Sequence, residues 1–335
     1  MVWTGNDVKN TCFLAGFSGI GDQDHQSATY LPAWRAQPGA RIVAVASSGP
    51  GDAATAQKVA VELGVSSYDT IADALAADGV DVVSVAVPLD QRVDVIVAAL
   101  QAGKAVLADK PLAPTLDGVE TIAAAQNGLV LVPALHVRLA GSLVAARTAM
   151  SAGRVGLPWN AQADFVVAGG SAAPSGELLN LGGYPVDVLH AVLGLDAVQV
   201  HARTGRHWHD GADDFVTLLI DYANGVTGTV LVGRTGPLDG VRAGGLARHR
   251  YRISGSHGVL DIDAARAALR VRSADGTVSA PAPDTVAALV GQTCSAVLTG
   301  ARPPVGIDDA RHVHQIIDAA ERSLASGRPE RVIHS

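Results

Sequence analysis

Gly16-Phe17-Ser18-Gly19-Ile20-Gly21 directly follows the apolar run TCFLA and has the spacing of a glycine-rich turn. Glycines there let the main chain bend sharply and approach a phosphate held at a helix N-terminus. Serine in place of the second glycine permits the turn but crowds the phosphate. Gly-rich strand ends are common and often bind nothing, but between a strand and a helix this one reads as a dinucleotide pyrophosphate site through Gly16, Ser18, Gly19, Ile20 and Gly21. The next strand-like run, RIVAVA, ends in Ser47-Ser48-Gly49 with no acid. An Asp or Glu at that point accepts hydrogen bonds from the ribose 2′-OH of NAD, whereas its absence leaves room for the 2′-phosphate of NADP. Hydroxyls and backbone N–H groups suit a phosphate, and Lys58 on the following helix offers charge. Ser47 and Ser48 therefore favour NADP over NAD as cofactor, unless they are only turn residues.

Further on, AGKAVLADKPLA (102–113) places Asp109 and Lys110 at the carboxyl end of a buried strand, before a proline. Ligands of open α/β sheets bind off that edge, so Lys110 is expected to point toward a cleft. Pro88, after the run VDVVSVAV, and Asp109 and Lys110 are assigned to the cofactor on the same edge. Asp187 and His190 are spaced i, i+3 on a helix and could share a face as a structural pair. His207-Trp208-His209 alternates histidines as a metal site does, but no third ligand lies nearby in sequence and an exposed loop is the better reading; no metal is expected.

The elements that must carry these residues alternate between 11 and 133. Runs TCFLA (11–15), RIVAVA (41–46), VDVVSVAV (80–87), AVLA (105–108) and LVLV (129–132) are apolar throughout, as strands buried on both faces are. Between them DAATAQKVAVEL (52–63), TIADALAA (70–77), DQRVDVIVAALQAG (90–103) and TLDGVETIAAAQ (115–126) have helical spacing, with Gly64, Gly103 and Gly128 at C-cap positions. This alternation predicts a doubly wound parallel sheet, a Rossmann domain over 1–135. From 136 the rhythm changes. A helix (142–152), a strand, a Gly-rich loop (168–183) and a helix to Leu193 precede VQVHART, DDFVTLLIDYA, TGTVLVG, RYRISG and GVLDID. Turn signals at Asn224-Gly225 and Asp275-Gly276 make these a mainly antiparallel sheet. Helices near 284–299 and 308–326, the latter capped by Gly327, complete an α+β second domain over 136–335.

Composition agrees with a two-domain protein: 335 residues, 48% apolar and 17% charged, argue for a large core and against disorder. No apolar stretch approaches the length that spans a bilayer, and MVWTGNDVKN offers no basic region of a secretory signal, so a cytoplasmic protein with no membrane partner is expected. Two cysteines far apart exclude a disulfide framework, and a net charge of −7 without a basic stripe excludes nucleic acid. The expected partner is a small molecule.

The segment AGKAVLADKPLA resembles the AGKHVLxEKPLA signature of the Gfo/Idh/MocA family, named for glucose–fructose oxidoreductase, inositol dehydrogenase and a rhizopine catabolism protein, with Asp109 where Glu is usual. The resemblance returns at 151–165, 213–230, 251–263 and 315–332 and so covers nearly the whole chain. It implies hydride transfer between a nicotinamide and a carbon bearing a hydroxyl or carbonyl on a sugar, cyclitol or related polar ring, with Lys110 holding the reacting oxygen and helping to manage its proton. The family's D-x-G-x-(H/Y)-x-x-D-x-L segment is matched by Asn180 to Leu189. Tyr184 falls on the acid/base position, Asp187 on the second acid, and Asn180 replaces the usual first Asp, removing a charge. Pro185 suits the first position of a helix, which would set Tyr184 at its positive end, where a phenolate is favoured. His136 and Arg138 resemble substrate-side polar residues or else brace the domain interface; His190 joins them as a further substrate candidate. The resemblance also implies a homodimer or homotetramer through the open face of the second-domain sheet. Two other readings stay open: an NADPH-dependent reductase of a carbon–nitrogen double bond, and a cofactor-binding regulator without turnover, which Ser18 and Asn180 favour.

Overall fold

The computed structural model describes residues 10–20, 24–207, 212–241, 243–265, 269–273, 276–280 and 284–334. Gly21, Trp208, His209 and Asp275, singled out above, lie outside the described residues. By internal contacts the chain forms two compact units, Met1–Ala134 with Thr285–Arg311, and Leu135–Asp284 with His312–Ser335.

In the first unit, strands β1 (Asn10–Ala15), β2 (Ala40–Ala46), β3 (Ser66–Tyr68), β4 (Val82–Val85), β5 (Ala105–Ala108) and β6 (Leu131–Pro133) form one sheet in the order β3-β2-β1-β4-β5-β6. Every pairing is parallel. The apolar runs become its core: β4 and β5 are buried at every position because helices cover both faces. Those helices are α1 (Leu31–Arg35), α2 (Ala53–Leu63), α3 (Ile71–Leu75), α4 (Arg92–Gln101) and α5 (Leu116–Ala125). Local chemistry sets their ends: Thr70 and Thr115 accept from the backbone N–H of Asp73 and Gly118 at the starts of α3 and α5, and left-handed Gly64 closes α2. The sequence reading assigns nothing to β3 or to the π-helical turn Gln26–Tyr30 that runs into α1. A three-residue polar strand carries no apolar alternation, and a π turn breaks the 3.6-residue period.

The second unit holds α6 (Gly141–Ser151), β7 (Pro158–Ala168), α7 (Gly176–Leu181), α8 (Gly183–Leu193), β8 (Ala197–Gly205), β9 (Phe215–Tyr222), β10 (Thr227–Thr235), β11 (Gly245–Gly255) and β12 (Gly258–Asp263), followed by the two-stranded pair β13 (Leu269–Ser273) and β14 (Gly276–Ala280). With β15 (Glu330–Arg331) at its edge, the large sheet has seven strands in the order β12-β11-β7-β10-β9-β8-β15. It is antiparallel except where β10 pairs β7. Asn224 and Gly225 both take positive φ in the β9–β10 turn, as their sequence signalled. One face of the sheet packs under α7 and α8. The expected loop over 168–183 is thus partly wrong: its second half is α7, whose Leu178, Leu179 and Leu181 are buried, and the glycines at 169, 170 and 176 concealed the helix that follows.

The second departure concerns α9 (Thr285–Thr299), expected within 136–335. It packs against α1 and β1, with Val286, Leu289, Val290 and Cys294 buried. Asn10 Nδ2 donates to the Cys294 carbonyl at 3.2 Å and Gln37 Nε2 to that of Ala287 at 2.9 Å. Arg311, in α10 (Ile307–Ser326), reaches both Glu120 oxygens on α5. No periodicity reveals which core an apolar face joins. Among the described residues no helix is long and apolar enough to cross a membrane.

Candidate active site

The strand order of the first sheet reverses between β1 and β4, and the glycine turn sits on the carboxyl edge at that point. Gly16 has φ +75°, and a Cβ there would lie 2.7 Å from both the Ala86 carbonyl oxygen and Val87 Cγ1, so only glycine fits. Gly16 N donates to Ala46 O and Ser18 N to Ala86 O, each at 2.9 Å, which stitches the turn to the strands on either side. Gly19 and Ile20 are buried beside it. Ser18 Oγ is buried with no hydrogen-bond partner among the described residues. A tight cradle closed to side chains and an orphaned hydroxyl suit a ligand rich in oxygen acceptors, so the residues present fit a dinucleotide pyrophosphate. Pro88 follows on the same edge.

Asp109 and Lys110 extend β5, and both are buried, at 1% and 9% exposure. Asp109 Oδ1 accepts from the Tyr30 hydroxyl at 2.6 Å; its Oδ2 accepts from His25 Nδ1 at 2.9 Å and Arg92 Nη2 at 3.3 Å. Burial alone would raise this carboxyl, but the charges of His25, Arg92 and Lys110 hold it well below the usual carboxylate range. Arg92 also donates to the carbonyls of Val87, Asp109 and Pro111 at 2.9, 3.2 and 2.6 Å, bracing the chain on both sides of Lys110. The Lys110–Pro111 peptide is cis. Sequence reasoning missed His25, Tyr30 and Arg92. One signal was there: Arg92 opens α4, where the helix dipole disfavours a cation, so a buried anion had to face it.

Ser47 and Ser48 do different things. Ser47 Oγ donates to the Asp69 carbonyl at 3.4 Å, while Ser48 binds Asp52, the residue before α2, through its N–H and hydroxyl.

In the second unit a single 3₁₀ turn, His136–Leu139, supplies His136 and Arg138. His136 Nε2 is hydrogen-bonded to the Tyr184 hydroxyl at 3.3 Å, with the rings edge to face at 5.4 Å. Phe165 of β7 stacks on the other side of Tyr184 at 5.4 Å and itself meets His249 edge-on. The His249 imidazole is lowered to about 4, first by burial and further by the charge of His136, against Asp263, and its Nε2 is hydrogen-bonded to the Tyr251 hydroxyl at 2.8 Å. Tyr184 is second and Pro185 third in α8, rather than before and at its first position, because Gly182 continues helically from α7.

Arg138 grips Asp187 with two hydrogen bonds, Nε to Oδ2 at 2.8 Å and Nη2 to Oδ1. Both groups are buried, as a planar fork on a carboxylate tolerates. His190 bonds the Leu195 carbonyl at 3.3 Å and stacks on His312 at 3.6 Å. Asn180 Nδ2 donates to Glu177 Oε2 at 2.9 Å, and Glu177 Oε1 accepts from Arg234 Nε at 2.8 Å in a buried cluster. Among the described residues His190, Asp196 and His312 bring donor atoms within 4.8 Å of one another. Their imidazoles stack at 25°, so in-plane lone pairs run side by side rather than converge, and the group is not arranged as a chelate. His207 binds Asp214 through its backbone N–H and Nδ1.

Comparison with known proteins matches residues 13–133 to a family described as an oxidoreductase family with an NAD-binding Rossmann fold, and residues 143–261 to the GFO/IDH/MocA C-terminal domain. A dTDP-3,4-didehydro-2,6-dideoxy-alpha-D-glucose 3-reductase of Streptomyces violaceoruber is 30% identical over 80% of each chain. The trans-1,2-dihydrobenzene-1,2-diol dehydrogenase of Oryctolagus cuniculus is 34% identical over 39% of this chain and 42% of its own; the chain spans about half the length of the dihydrodiol dehydrogenases it matches. Among solved structures, a putative myo-inositol dehydrogenase from Sinorhizobium meliloti covers 97% of this chain and 100% of its own, with a TM-score of 0.79 at 20% identity. An oxidoreductase from Agrobacterium radiobacter in complex with NAD+, L-tartaric acid and magnesium covers 97% and 98%, with a TM-score of 0.81 at 20% identity. Matches through both units, and a relative 30% identical over 80% of each chain, make this chain a member of the GFO/IDH/MocA oxidoreductase family.

Proposed function

We propose that the protein is an NAD(P)-dependent dehydrogenase or reductase that moves a hydride to or from a ring carbon bearing a hydroxyl or carbonyl. The observation that carries this is Lys110: a buried lysine at the carboxyl end of β5, with the Asp109 charge near it and the carbonyls on either side of it held by Arg92, on the same sheet edge as the glycine turn. Such an ammonium stabilises the negative charge that grows on the reacting oxygen as hydride arrives or leaves. Tyr184, bonded to His136 and stacked on Phe165, is the proposed acid/base for that oxygen's proton. Asp187 acts by holding Arg138, and Asn180 by holding Glu177, so both position the second unit's polar residues rather than exchange protons. A bound nicotinamide would supply the hydride chemistry; Gly16, Ser18, Gly19, Ile20, Pro88 and Asp109 are the residues proposed to line it.

The substrate class is a sugar, a cyclitol or a related polar ring. Relatives named for a dideoxyglucose, a dihydrobenzenediol and an anhydrofructose support that class. The protein is proposed to work in the cytoplasm as a homodimer or homotetramer through the open face of the seven-stranded sheet. On that face Arg248, Arg250 and Arg252 pair with Asp164, Asp263 and Asp261, a ladder a second copy can extend; analytical ultracentrifugation checks it. Lys110→Met tests the main reading. Turnover of a panel of polyols and keto sugars should fall at least about 100-fold while dinucleotide affinity changes by less than about threefold. Undiminished turnover in this variant would remove Lys110 from the chemistry.

A further inference from the structure

We propose that Asp52 makes this chain selective for NAD over NADP, by filling with its own carboxylate the anion-binding nest that a 2′-phosphate would need. The inference rests on the first unit's being the dinucleotide-binding part, and it reverses what Ser47 and Ser48 imply in sequence. In doubly wound sheets the adenine ribose lies against the end of the second strand, and the groups there discriminate its 2′ position. The Ser47 and Ser48 hydroxyls and the Ser48 and Gly49 N–H groups that recommended this loop for a phosphate are present, but each is taken. Asp52 Oδ1 accepts from the backbone N–H of Ser48 at 2.9 Å and of Gly49 at 3.2 Å. Its Oδ2 accepts from the Ser48 hydroxyl at 2.8 Å and from Phe17 N–H at 2.7 Å.

Four donors match the roughly four lone-pair sites of a carboxylate, and Asp52 is only 6% exposed. The Phe17 bond matters most for the argument, because Phe17 belongs to the glycine turn. One carboxylate thus joins the turn proposed for the pyrophosphate to the loop proposed for the adenine ribose, and its charge lies between them. A 2′-phosphate entering there would find the Ser48 and Gly49 N–H groups already bonded and a fixed negative charge in a poorly solvated place, where repulsion is weakly screened. A ribose hydroxyl brings no charge and needs only room and one hydrogen bond. Ser47, turned to the Asp69 carbonyl, offers nothing in exchange. Lys58 lines a cavity with Asp24, Arg35 and Glu62, in which Glu62 pairs with Arg35.

Fluorescence titration of the full chain with NADH and NADPH tests this without any turnover. Wild type should bind NADH at least about tenfold more tightly. Asp52→Asn keeps the size and two acceptor sites but removes the charge, and should cut the preference at least about tenfold. Because that change also loosens the loop, Ser48→Arg provides a second arm: it keeps Asp52, adds a cation beside it, and should likewise improve NADPH binding relative to NADH. Equal or tighter binding of NADPH by wild type overturns the role of Asp52 and leaves the enzyme reading standing, as does a preference unchanged in both variants. Failure of wild type to bind either dinucleotide overturns the functional reading itself, and this inference with it.

Discussion

Replacing Asp109 by Asn probes the buried charge cluster beside Lys110. The carboxylate receives Tyr30, His25 and Arg92 at 2.6, 2.9 and 3.3 Å, and the Arg92 side chain is fully buried. Asparagine nearly preserves the shape but offers one acceptor oxygen for these donors, turns an NH₂ group toward the rest, and leaves the guanidinium without its counter-charge. Breaking one partner of such a pair costs about 3–5 kcal/mol, mostly as the penalty for the orphaned charge. In a unit of this size each kcal/mol moves the midpoint by about 2–4 °C, so the thermal transition should fall by about 6–20 °C. Calorimetry with urea denaturation measures both quantities. The sign of the pH dependence follows from the depressed carboxyl. Its stabilising contribution is complete above the unfolded value, near 4, and is lost as pH falls through the folded one, so the variant should lack this part of the wild-type acid limb. A loss below about 1 kcal/mol, with an unchanged acid limb, would refute the reasoning.

Tyr184→Phe keeps the ring against Phe165 and removes the hydroxyl bonded to His136; kcat should drop by about 10²–10⁴-fold with dinucleotide affinity intact, and a drop of only a few-fold with the same pH–rate profile would make Tyr184 a packing residue. His249 is lowered from 6.5 to about 4 in the folded chain, so between those values the unfolded chain binds more protons and stability decreases as pH falls. The wild type should lose about 3 kcal/mol across that window, and His249→Gln, which keeps an acceptor for Tyr251, should flatten the curve measured by urea denaturation at pH 4.5 and 7.5.

Much of this architecture is written in short stretches of chain. Apolar runs with helical spacing between them dictate a parallel sheet with covered faces, because burial on two sides forbids polar alternation. Gly16 follows from a local need for positive φ and close backbone approach, and Lys110 follows from its place just past a buried strand. Asn224-Gly225 dictates its hairpin for the same local reason. What the sequence leaves open is which distant groups neutralise one another. Arg92 and Asp109, Arg138 and Asp187, and Arg234 and Glu177 are buried pairs separated by 17, 49 and 57 positions. Each partner alone reads as a surface charge or as a family position. Asp52 is the sharpest case: along the chain it is an ordinary helix-capping acid, and only the folded loop brings it onto Phe17 of the glycine turn. Likewise α9 is an amphipathic helix in sequence, and the choice of the first unit's core for its apolar face belongs to the tertiary structure. Periodicity and turn chemistry act within a few residues, whereas desolvated charges find their counter-charges only once the chain has closed around them.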